Sequence, residues 1–131
     1  MFEEMVSLLK QGKFPQPDLL RKRFDRALVK KIGVVNTPYS FWTSDPKINP
    51  RTKELLWAAI LLEDGENFRL LIGIAATEAK EKKRASGHSA EIADTAKNAR
   101  LIGDEFIKEF IELAPTEGFR IQLQQKIDNT L

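Results

Sequence analysis

AEIADTAKNARLIGDEFIKEFIELA, residues 90–114, carries the clearest periodic pattern in the chain and decides its fold class. Ile92, Ala96, Ala99, Gly103, Phe106, Phe110 and Leu113 recur at spacings of 4, 3, 4, 3, 4 and 3. This alternation lays a coiled-coil-like apolar seam along one helical face. Small side chains line its first half and admit a neighbouring helix closely, while Phe106 and Phe110 fill the wider end. The seam packs inside a bundle or against a second copy. Pro115 ends the helix.

Working outward, Asn49-Pro50 starts a helix predicted over 51–63, with a side-chain cap and then proline at the first helical position. Its centre, Leu55 to Leu62, is apolar all round, as in a helix covered on several sides. Trp57 lies in that run and reads as core. Asp64-Gly65 separates it from a helix predicted over 66–85. The apolar stretch Phe68–Ala76 also fits a strand, but Ala75, Ala76 and Ala79 favour helix. The two segments form a central helical hairpin.

Further upstream, Phe2, Met5, Val6 and Leu9 mark a short amphipathic helix that Gly12, Pro15 and Pro17 stop. Asp18 is placed to cap a helix over 19–31, and Gly33 to end it. On that helix Leu20, Phe24, Ala27, Leu28 and Lys31 fall near one face. Downstream of the seam, Phe119, Ile121, Leu123 and Ile127 suggest a last helix over 117–128, although their early alternation also reads as strand. The expected architecture is all-α. It is a single domain over 1–131, a bundle of about five or six helices with a central hairpin (51–63, 66–85) and a long C-terminal helix (90–114).

Composition narrows the chemistry. Apolar residues at 42% and charged residues at 31% place the chain among globular proteins. It has no cysteine, which excludes disulfides, thiolate catalysis and cysteine-ligated metals. His88, the only histidine, sits in a Ser-Gly-His-Ser turn with nothing to specify an orienting acid or an oxyanion hole. The carboxylates Glu63, Asp64 and Glu66, and Asp104, Glu105, Glu109 and Glu112, lie at helix ends or beside basic neighbours, which suits solvation. No catalytic residue, metal or cofactor is expected, and the chain reads as a non-enzyme. The start Met1-Phe2-Glu3-Glu4 lacks the basic n-region of a secretory signal. The longest apolar run is eight residues, against about 20 for a bilayer span. A cytoplasmic protein with no membrane partner is expected.

Charge supplies the sharp functional hint. Arg21, Lys22, Arg23, Arg26, Lys30 and Lys31 stand within eleven residues and only Asp25 opposes them, a local net charge of +5 in a chain of net +2. Residues 1–53 carry net +6 and residues 54–131 net −4. A like-charge cluster of this density suits an anionic partner, and long cationic side chains on one helix neutralise phosphates. Lys82, Lys83 and Arg84 extend the basic surface, with Lys80 nearby. Tyr39, Phe41 and Trp42 follow the basic helix as candidate stacking platforms for single strands. They read equally as core anchors of a long loop, and large aromatics are mostly buried. The cluster itself has a second reading, a solvated face paired with the acidic half of the chain.

A family resemblance adds to this. Asn49-Pro50-Arg51-Thr52-Lys53-Glu54-Leu55-Leu56, followed by Glu66-Asn67-Phe68-Arg69-Leu70-Leu71, resembles the central helices of carboxymuconolactone decarboxylase/AhpD-like proteins. Ser89-Ala90-Glu91-Ile92-Ala93 is similar to their later helix start. The matching blocks cover about a third of the chain and extra residues separate them. The family's Cys-x-x-Cys is absent and its usual histidine position falls near Leu71. The resemblance implies a helical, oligomeric fold without that chemistry.

The function expected from these features is a binding or assembly subunit whose helix 19–31 contacts RNA or DNA backbone without base specificity. Two alternatives stand beside it. One is an adaptor or regulator that recognises an acidic protein surface. The other is a small-molecule-binding helical protein with a pocket near Trp57 and Leu71. A homodimer or larger homo-oligomer is compatible with each.

Overall fold

The computed structural model describes residues 2–35, 50–85 and 95–131. They form six α-helices and no strand: α1 (Phe2–Lys10), α2 (Pro17–Val35), α3 (Pro50–Leu61), α4 (Gly65–Ala85), α5 (Thr95–Glu112) and α6 (Glu117–Thr130). The all-α architecture and the central hairpin, α3 with α4, are as the periodicity predicts. The two segments that also fit a strand, Phe68–Ala76, where the alanines favour helix, and the stretch after Glu117, are both helical. In α6 the buried set is Phe119, Leu123, Ile127 and Thr130, at steps of 4, 4 and 3, while Ile121 is 53% exposed. The helical period thus wins over the apparent alternation. Thr116 caps α6, its hydroxyl accepting from the Phe119 amide at 3.2 Å.

One main apolar core draws on all six helices. Met5 and Leu9 of α1, Phe24 of α2, Leu55, Leu56 and Ile60 of α3, Leu71 of α4, Phe106 and Phe110 of α5, and Leu123 and Ile127 of α6 meet in it. Trp57 is 9% exposed and packs its ring 6.2 Å from that of Phe106. The most extensive helix–helix contact joins α4 to α5. Gly103 faces Ile72 of α4 there, so the described half of the α5 seam packs within the bundle.

Two helix ends explain the turns. After α1, the Lys13 amide donates to the Leu8 carbonyl (2.9 Å) and the Gly12 amide to that of Leu9 (3.0 Å), with Gly12 at φ +76°. This is a Schellman motif with glycine in the left-handed position. After α3 the same pair of bonds recurs, Asp64 to Ala59 (2.9 Å) and Glu63 to Ile60 (3.0 Å), but the left-handed residue is Glu63 at φ 55°. Gly65 therefore does not form the turn. It opens α4 beneath the end of α6, where an added Cβ would lie 2.7 Å from the Thr130 carbonyl oxygen. At the other glycine expected to stop a helix, Gly33, α2 continues to Val35.

Candidate anion-binding face

The basic cluster sits on α2, which packs against α3. Its early turns meet the start of α4 through Arg21 and Asp64, and its later turns meet Glu78 through Lys31. The inward face of α2 is built from Leu20, Phe24, Ala27, Leu28 and Lys31, all buried. Helical geometry then sorts the remaining cations by angle around the axis.

Three of the six point at carboxylates of the same molecule. Lys31 is 3% exposed and its Nζ is hydrogen-bonded to Glu78 Oε1. The hydroxyl of Thr52, itself fully buried, donates to both oxygens of Glu78, at 3.1 and 3.3 Å. Arg21 donates to Asp64 Oδ2 at 2.9 Å, lies 3.6 Å from Asp25 and stands 5.7 Å from the centre of the Phe24 ring. Burial pushes the Asp64 carboxyl up, but hydrogen bonds from Arg21 and Asn67 outweigh it and hold the group below its ordinary value. Arg23 donates to Glu4 Oε2 at 2.9 Å, which draws the Glu4 carboxyl down.

The other three, Lys22, Arg26 and Lys30, are exposed and form no ion pair among the described residues. They repeat at i, i+4 and i+8, so they make one stripe about 12 Å long on the outer side of α2. Val29, 69% exposed, stands within it.

The remaining candidates are placed as follows. Lys82, Lys83 and Arg84 lie on the last turns of α4, with side chains outside the described residues. Tyr39, Phe41, Trp42, His88 and Ile92 also lie outside them, as do the side chains of Ala96 and Ala99. Phe106 and Phe110 are core, and Leu113 packs against it. Trp57 borders an open depression of about 560 Å³ between α1 and α3 that Glu54 also lines, whereas Leu71 is wholly buried elsewhere. Burial raises the Glu54 carboxyl there. Among the described residues no cluster of histidine or carboxylate side chains is arranged to hold a metal ion, and no helix is long and apolar enough to cross a membrane.

The chain matches no protein-family model, no curated protein and no solved structure. The resemblance carried by residues 49–56, 66–71 and 89–93 gains no support from these comparisons.

Proposed function

We propose that this chain is a non-enzymatic binding or assembly subunit that holds RNA or DNA backbone on the Lys22–Arg26–Lys30 stripe, without base specificity. The supporting observation is that these three cations share one exposed face while the other three are paired within the fold. Cations left in water on a helix neutralise backbone phosphates well, because binding releases the counterions condensed on the nucleic acid. Phosphate contacts position a backbone and read no sequence.

Fluorescence anisotropy of labelled single- and double-stranded oligonucleotides at low salt tests this. Reversal of the stripe (K22E/R26E/K30E) abolishes binding and leaves the far-ultraviolet circular dichroism and melting temperature nearly unchanged. Absence of binding by the unaltered protein at 50 mM salt defeats the proposal. Arg21 and Arg23 are poor choices for such a test, since their loss also removes contacts within the fold.

One observation favours the adaptor reading instead. Val29 finds no partner on a phosphate backbone but does on a protein surface. Val29→Ser leaves oligonucleotide affinity within about twofold if nucleic acid is the partner. If a protein is, Val29→Ser abolishes its capture from nuclease-treated extract.

A further inference from the structure

Between α1, the connector that follows it and the first turns of α2 lies a half-open cavity of about 460 Å³. Small-molecule sites span roughly 300–1,000 Å³. The walls are largely apolar, with Met5, Leu8, Phe14, Leu19 and Leu20 among them. Leu19 is 46% exposed, and Leu8 and Phe14 are half-buried, so the fold leaves this apolar surface in contact with water. Covering it removes apolar surface from water, which is favourable.

Lys13, Arg23 and Glu4 also line the cavity. Lys13 is exposed and forms no ion pair among the described residues. Arg23 is held by Glu4, but the Glu4 side chain is 72% exposed. Exposed bridges of this kind add little to stability. A ligand carboxylate that replaces Glu4 on the guanidinium therefore displaces little, and it makes a charge-assisted hydrogen bond there.

We propose that this cavity binds a single-chain amphipathic anion, an alkyl or aryl carboxylate. Its tail covers the Leu8, Leu19 and Leu20 side chains, and its head displaces Glu4 from Arg23 within reach of Lys13. A cationic amphiphile of the same length meets like charge there and is rejected. The site is separate from the outer stripe: Lys22, Arg26 and Lys30 do not line it.

Titration calorimetry of the full chain with sodium decanoate, kept below its micelle concentration, tests this. One saturable site is expected, with no comparable binding of decyltrimethylammonium. Arg23→Gln weakens decanoate about tenfold, Leu19→Gln weakens it severalfold, and Glu4→Gln tightens it about threefold by freeing the guanidinium. These positions are partly or largely exposed, so the variants keep their melting temperatures within a few degrees. Should Arg23→Gln fail to fold, Glu4→Gln reads the same exchange. Equal binding of anion and cation, unsaturable binding, or an affinity that Glu4→Gln leaves unchanged or weakens overturns the proposal. So does sedimentation with phosphatidylglycerol vesicles without any decanoate binding, which would assign the surface to a membrane.

Discussion

Replacing Lys31 with methionine separates the structural cations from the exposed ones. Lys31 and Glu78 are both nearly excluded from solvent, with side chains 3% and 9% exposed, and Thr52 supplies a further hydrogen bond to the carboxylate. Removing one partner leaves a buried charge without its counter-charge, which costs about 3–5 kcal/mol. A domain of this size has about 5–15 kcal/mol in total, so Lys31→Met unfolds a large fraction of the protein at modest urea. Glu78→Leu also destabilises, because it removes the carboxylate that Lys31 and Thr52 share. The double replacement K31M/E78L removes both charges and returns stability to within about 2 kcal/mol of the parent, since apolar substitution of a buried pair is often neutral. What is left is chiefly the Thr52 hydroxyl, deprived of its acceptor at about 1–3 kcal/mol, and Thr52→Val in the same background recovers that part. Urea unfolding followed by circular dichroism at 222 nm gives the four stabilities. The interaction energy from the cycle exceeds about 2 kcal/mol. A cost below about 1 kcal/mol for Lys31→Met, with an unchanged urea dependence, refutes the assignment of Lys31 to the interior.

Other consequences are local. Gly65→Ala forces a methyl group against the Thr130 carbonyl and destabilises by about 1–3 kcal/mol, read as a lower urea midpoint. Glu63→Gly relieves the left-handed backbone and raises stability by about 0.5–1 kcal/mol, less whatever the 3.6 Å pair with Lys126 contributes. Asp64 has a lowered carboxyl pKa, so its stabilising contribution is complete above the ordinary carboxylate range and is lost as pH falls through its folded value. Arg21→Gln removes the main opposing partner, and the Asp64 carboxyl titrates above its value in the parent. Carboxyl-carbon nuclear magnetic resonance across pH 2–6 follows it directly, and an unmoved Asp64 titration in Arg21→Gln contradicts this account.

Most of the helical framework was legible because apolar spacing and proline positions act locally. The all-round apolar run at Leu55–Leu62 identifies the helix that α2, α4 and α6 all pack against, and α3 supplies a large share of the core. Two turns were harder to read. Glu63 takes a left-handed conformation that glycine would adopt without strain, and nothing in its identity announces it. Gly65, next but one, has the residue type of a turn but is held by a contact with Thr130, sixty-five positions away. The basic cluster was legible as a cluster, yet its division was not, because it depends on Glu4, Asp64 and Glu78 from three other places in the chain. One signal pointed to it: Lys31 shares a helical face with Leu20, Phe24, Ala27 and Leu28. A cation on the apolar face of an amphipathic helix needs a buried counter-charge.

The division of the cluster into three cations paired within the fold and three left in water is tested most directly by the salt dependence of duplex binding. Each neutralised phosphate contributes about −0.9 to the slope of log K against log salt. Three stripe residues therefore account for a slope of about −2.7, or roughly 40-fold between 50 and 200 mM salt. Replacing Lys22, Arg26 and Lys30 together with glutamine should make the measured slope shallower by that amount. A slope that the triple variant leaves unchanged would contradict the account.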